Sequence, residues 1–161
     1  MSFSKYNKIF GIFCGIIAFI IYSLTVEPTA SYWDCAEYIS TSAKLQIGHP
    51  PGAPLFQMLG AIFSILAFNN EQIAYTINMM SVTSSAFTIV FLFWSISLIV
   101  KKILGIGNSI KKNEIIKVFG SSLIGALTFT FTDSFWFNAV EAEVYAMATL
   151  ILSVLFWMGL K

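Results

Sequence analysis

The sequence predicts an all-α integral membrane protein, and three observations carry that expectation. Hydrophobic residues make up 57% of the chain and charged residues only 11%, whereas a soluble domain carries about 25% charged residues. The mean hydropathy is +0.80. The apolar residues fall in runs at 9–26, 53–68, 76–100, 116–132 and 143–160, against the roughly 20 residues a helix needs to cross a bilayer. A net charge of +1, with no basic stripe carrying interleaved aromatics, excludes nucleic acid as a partner.

The first run, 9–26, follows Lys5 and Lys8 in the manner of a secretory signal. It is long for one, and Pro28 occupies the −3 position of the one small-residue cleavage point, after Ala30. It therefore reads as an uncleaved anchor. Cys14 lies inside this run and Cys35 beyond its outer end, so the two sit at different depths and do not bridge.

Charge then sorts the remaining runs, because loops rich in lysine stay cytoplasmic. If all the runs crossed, the loop holding Lys101, Lys102, Lys111, Lys112 and Lys117 would lie opposite Lys5 and Lys8. If 53–68 lies at the outer surface instead, eight of the nine lysines fall inside and only Lys44 falls outside. Glu27, Asp34, Glu37, Glu71, Asp133, Glu141 and Glu143 then also lie outside. The expectation is a single membrane domain over 1–161: spans at 9–26, 76–100, 116–132 and 143–160, a cytoplasmic basic loop at 101–115, and outer loops at 27–75 and 133–142.

The first outer loop carries the chemistry-bearing residues. "SYWDCAEYISTSAKLQIGHPPGAP", residues 31–54, holds Asp34, Glu37, Lys44, the single histidine, His49, and three of the four prolines. Residues 32–47 read as an amphipathic helix, with Asp34, Glu37, Thr41 and Lys44 on one face and Cys35, Ile39, Ala43 and Ile47 on another. Such a helix would lie along the interface, apolar side down. The prolines of "GHPPGAP" stiffen an extended turn that aims His49, and Pro54 suits the first turn of a second surface helix over 53–68. Structural readings stand beside these. Ser31 followed three residues later by Asp34 fits a capping box, Glu37 and Lys44 fit a solvated face, and a lone histidine is commonly a hydrogen-bonded structural residue. One histidine without a suitably spaced partner is no zinc site.

In the second outer loop, Asn138, Glu141 and Tyr145 share a stripe if the chain is helical there, and Glu141 and Glu143 diverge by about 200°. Asp133 fits a helix cap. Away from their ends the four spans contain no Asp, Glu, Lys, Arg or His, so no charged relay crosses the bilayer as a proton-coupled transporter would require. Acids gathered at one interface suit chemistry on a lipid-anchored substrate.

"SYWDCAEYISTSAKLQIGHPPGAPLFQMLGAIFSIL", "NMMSVTSSAFTIVFLFW" and "TFTDSFWFNAVEAEVYAM" resemble, in order and spacing, the amino-terminal part of a bacterial membrane family grouped with the GT-C glycosyltransferases and related to an animal protein O-mannosyltransferase. The resemblance implies a GT-C-like fold with juxtamembrane helices at 32–47 and 53–68. It implies a catalytic carboxylate at Asp34 with Glu37 as companion, and a second acid at Glu143 or Glu141. The implied reaction moves a hexose, mannose first, from a polyprenyl phosphate to a serine or threonine of an exported protein, with inversion. Asp34 would act as base, while Trp33, Lys44, His49, Asn138, Glu141, Glu143 and Tyr145 would position donor and acceptor. The implied location is the bacterial inner membrane, amino terminus cytoplasmic and site toward the periplasm.

The chain departs from that pattern in having no arginine and only Lys44 outside to meet a leaving phosphate. It also has fewer spans than GT-C enzymes, which reads as an amino-terminal fragment or a truncated product. No cofactor is fixed by the sequence, and a divalent metal joining Asp34 to the second loop stays open. A non-catalytic membrane scaffold and, behind it, a lipid-linked-sugar transporter are the alternatives.

Overall fold

The computed structural model describes residues 2–107 and 109–161. Among them there are helices and no strand, so the protein is an all-α membrane protein. Two helices are long and apolar enough to cross a membrane, α1 (Phe3–Thr25) and α4 (Ile73–Ile103, entered through a short turn at Asn70–Gln72). At 1.5 Å per residue, the 23 residues of α1 extend roughly 35 Å. Between these two lie α2 (Cys35–Lys44) and α3 (Pro54–Ser64). The 11 residues of α3 reach roughly 16 Å, about half the hydrocarbon thickness.

After α4 the chain forms α5 (Lys112–Ile115), a wider π turn at Ile116–Gly120 and α6 (Ser121–Thr130). It then bends by 67° into α7 (Asp133–Ala139). The last helix, α8 (Val144–Leu160), has 17 residues. α4 is the centre of the bundle, touching α1, α3, α6 and α8. Its buried face mixes large apolar residues such as Ile77, Ile89 and Phe93 with small ones, among them Ser81, Ser84, Ser85, Ser95 and Ser97, and the small ones let neighbouring helices approach closely. On α1 the matching feature is Gly11-x-x-x-Gly15. A Cβ at Gly11 would strike the Trp94 ring, and one at Gly15 would strike Val90.

Contacts fix the direction of each helix. At one end Ser2 pairs with Ser109, Phe3 stacks on Phe119 at 5.5 Å, and Lys102 Nζ donates to the Leu160 carbonyl at 2.8 Å. At the other end the Tyr22 hydroxyl donates to the Thr130 carbonyl at 2.7 Å, and the Glu27 amide donates to the Val140 carbonyl at 2.9 Å. The four long segments therefore run up, down, up and down. Every lysine except Lys44 belongs to the first end.

Several local expectations change. The helix expected over 32–47 is shorter, because Trp33 (φ 61°) and Leu45 (φ 49°) both lie in the left-handed region. Leu45 closes the helix as its left-handed cap, with the Gln46 amide reaching back to the Thr41 carbonyl at 2.8 Å. The capping box is absent: Asp34 holds the N-cap position without a side-chain cap bond, and Ser31 points elsewhere. The apolar side of α2 does not face lipid. Cys35 and Ile39 pack with Phe56, Ile77, Met80 and Ala142 in a core of their own, because α3 and the top of α4 provide an apolar wall that hydrocarbon would otherwise supply. Thr41, expected on the polar face, is buried and accepts from Gln57 Nε2 at 3.1 Å. Ile47, expected on the apolar face, lies beyond the helix and is exposed.

The second outer segment is not a plain loop, since seven of its residues form α7. Helix continuity across 138–145 fails, with the break falling between Ala139 and Val144. The stripe joining Asn138, Glu141 and Tyr145 therefore does not exist, and the helical divergence of Glu141 from Glu143 does not apply. Cys14 and Cys35 are both free and buried.

Candidate functional site

The site forms at the end of the bundle away from the lysine-rich one. Asn78, in the second turn of α4, is fully buried there. Its Nδ2 donates to the carbonyls of Glu27 (2.7 Å) and Thr29 (2.9 Å). That clamp satisfies two backbone acceptors and holds residues 27–29 against the top of α4, while the Glu27 amide ties the same segment to Val140 in the second outer segment. Ser31 completes the junction by donating from its hydroxyl to Glu141 Oε2.

On this foundation α2 presents its acids. Glu37 is engaged at both oxygens: Oε1 accepts from the His49 backbone amide at 2.6 Å, and Oε2 lies 2.9 Å from His49 Nδ1. The other ring nitrogen, Nε2, is 3.8 Å from Asp34 Oδ2. The proline turn thus folds back to set the imidazole beside both carboxylates, with its sides half open to solvent. The His49 amide bond and then its ring hold Glu37 below the ordinary carboxylate value. The hydrogen bond to Glu37, followed by that carboxylate's charge and by Asp34, raises the proton affinity of His49.

Glu141 and Glu143 lie in the break between α7 and α8, and both are buried, at 3% and 6% exposure. Burial raises Glu141. Burial, with added repulsion from Glu141 and Asp34, pushes Glu143 up to about 7. Glu143 Oε1 has no hydrogen-bond partner among the described residues. Tyr38 stands between the two groups of acids: burial and then the charges of Glu143, Asp34 and Glu37 raise its hydroxyl, and its ring lies 6.4 Å from that of His49.

The structure thus brings together Asp34, Glu37 and His49, with Glu143 within reach of the Asp34 charge. Trp33 adjoins them with 86% of its surface exposed. Lys44 stands apart, two turns along α2 and without an ion pair to the cluster. Asn138 and Tyr145 line a shallow 240 Å³ recess with Phe129, Phe135 and Thr149, a recess that none of the α2 residues lines. Sequence reasoning missed Ser31 as a partner of Glu141, and it missed Tyr38 and Asn78. Of these only Asn78 carried a signal, as an amide inside an apolar run.

Asp34, Glu37 and His49 each offer one ligand atom, all within 4.8 Å of one another. These residues fit a divalent ion in one particular way. His49 Nε2 and Asp34 would be the ligands and Glu37 would orient the ring from behind, as carboxylates commonly do for metal-binding histidines. A bound ion there would act as a Lewis acid toward a phosphoryl oxygen.

Residues 34–161 match the family described as Protein O-mannosyl-transferase TMEM260 N-terminal domain. The chain belongs to that family. It is 29% identical over 151 residues to Protein O-mannosyl-transferase tmem260 of Dictyostelium discoideum, covering 91% of this chain and 16% of the relative. It is 24% identical over 147 residues to Protein O-mannosyl-transferase TMEM260 of Mus musculus, covering 89% of this chain and 18% of that protein. The chain therefore spans less than a fifth of each of these relatives. No solved structure matches it. The family match opens at Asp34 and takes in all of α2 through α8.

Proposed function

We propose that this chain is the site-bearing amino-terminal portion of a GT-C-type protein O-mannosyltransferase. In this reading it transfers mannose from a polyprenyl-phosphate donor to a serine or threonine hydroxyl of an exported protein. The observation that carries it is the convergence of Asp34, Glu37 and His49 from the first outer segment with Glu143 from the second. The relatives named as protein O-mannosyl-transferases support the reaction class.

The acceptor hydroxyl oxygen bonds to the anomeric carbon while the bond from that carbon to the phosphate oxygen breaks. The hydroxyl proton passes to Asp34, the electron pair leaves with the polyprenyl phosphate, and the configuration inverts. A hydroxyl is a weak nucleophile until its proton has a place to go, and a positioned base typically contributes about 10²- to 10⁴-fold. In the metal-free form His49, whose proton affinity is raised by Glu37, supplies positive charge near the leaving phosphate on a face that otherwise offers only Lys44. Glu143, buried and with its carboxyl raised well above the ordinary carboxylate value by that burial, donates a hydrogen bond to the sugar in its acid form. The lysine-rich end is cytoplasmic by the charge rule. In a bacterium that sets the protein in the inner membrane with the site toward the periplasm.

The test is transfer of labelled mannose from polyprenyl phosphate by the full-length protein and its Asp34→Asn variant in membranes. The variant is expected to lose about 10²-fold or more with expression unchanged. Equal transfer by both forms removes Asp34 as the base.

A further inference from the structure

A second cavity lies at the opposite end of the bundle, far from the acids. It measures 500 Å³ and is walled by Phe3, Trp94, Leu98 and Trp157, with Lys8, Lys101 and Lys161 among its lining side chains and no acid in the lining. None of these three lysines has an ion pair among the described residues. Lys101 Nζ instead sits 4.6 Å from the Phe3 ring centre, and Lys161 Nζ sits 4.0 Å from that of Trp157. Three unneutralised ammonium groups around one concavity repel each other, and an anion placed among them removes that repulsion.

The walls are built and fixed. The Trp94 indole donates to the Asn7 carbonyl at 2.9 Å, and the Trp94 and Trp157 rings pack at 5.5 Å. The first turn of α1 contributes Phe3 and Ser4 and contains no acid, so its free amides add to the positive field. The carboxyl ends of α4 and α8 would work against an anion. Lys101 and Lys102 occupy the last turn of α4, and Lys102 covers the Leu160 carbonyl.

We propose that this cavity binds the headgroup of an anionic phospholipid, with phosphate between Lys8 and Lys101 and the glycerol and upper acyl segments against Trp94, Leu98 and Trp157. Apolar walls meeting a cationic rim at the end of membrane-spanning helices match a lipid that is apolar at one end and charged at the other. Tryptophan is favoured at that depth. A zwitterionic headgroup would bring its own ammonium against three others, so the site discriminates by charge.

The test uses the full-length protein in nanodiscs of phosphatidylcholine doped with photoactivatable phosphatidylglycerol or photoactivatable phosphatidylcholine. Labelled peptides are then mapped. The glycerol lipid is expected to label the segments holding residues 3–8 and 94–101 in preference to the choline lipid. Lys8→Gln with Lys101→Gln should lower that labelling about thirtyfold, at about 1 kcal/mol per lysine, while Lys8→Arg with Lys101→Arg retains it. A Lys5→Gln, Lys112→Gln control at the same end should leave it unchanged. Equal labelling by both lipids, unchanged labelling in the glutamine variant, equal loss in the control, or no label on these segments because another helix of the protein fills the cavity would each overturn the proposal.

Discussion

Glu37 binds His49 twice, through the backbone amide at 2.6 Å and through Nδ1 at 2.9 Å, and so ties the proline turn to the exposed face of α2. The pairing depresses the carboxyl and raises the imidazole. A depressed acid stabilises above its ordinary 4.5 and loses that contribution as pH falls through the folded value. A raised histidine stabilises fully below 6.5 and loses that contribution as pH rises through its folded value. Glu37→Gln should therefore flatten the stability profile, with its largest deficit between those two pH values. Thermal denaturation of both forms from pH 4 to 8 checks this, and parallel profiles would refute it.

Glu143 gives the opposite slope. Its folded value of about 7 lies above the ordinary 4.5, so the folded protein holds the proton more tightly than the unfolded chain does. Stability falls as pH rises across that interval and then levels off. Glu143→Gln should remove the slope and stabilise the protein above pH 7, by up to about 3 kcal/mol at 1.36 kcal/mol per pH unit. Melting temperatures of the two forms at pH 5 and pH 8 decide it.

The Asn78 clamp is a structural hinge pin for the site. Asn78→Leu keeps the approximate volume and removes both donors, leaving the Glu27 and Thr29 carbonyls without their partner. The expected cost is about 2 kcal/mol or more, together with faster protease cleavage within 27–31. Unchanged cleavage there would mean that the segment is held by other contacts.

Gly60 sets the distance between α2 and α3. A Cβ at that position would lie 2.6 Å from Ser42 Oγ and 2.8 Å from Ser42 Cβ, and the second atom cannot swing away. Gly60→Ala should destabilise by about 1–3 kcal/mol, and the double variant Gly60→Ala with Ser42→Gly should recover most of it. Lack of recovery would show that the strain lies elsewhere.

The resemblance to the family was readable in order along the chain, from Trp33 to Pro54 and again around Glu141, and the family match over 34–161 agrees with it. The individual roles were less readable. The sequence reading placed Asn138, Glu141 and Tyr145 on one helical stripe, and nothing local announced that Ala142 would be drawn into the core under α2. Ala142 is buried in the break between α7 and α8, and Glu141 and Glu143 on either side of it are buried with it. Periodicity also gave α2 three extra residues at its start, since a left-handed Trp33 has no sequence signature.

The sequence by itself determined the material of this protein: hydrophobic helices, lysines gathered toward one end and acids toward the other, and a proline turn carrying a single histidine. Those follow from transfer free energies and backbone limits that each residue brings with it. Only the tertiary structure decided which acids are buried, which carboxylate holds the histidine and which helix face meets protein in place of lipid. These depend on neighbours distant in the chain, and a residue's own chemistry does not name its neighbours.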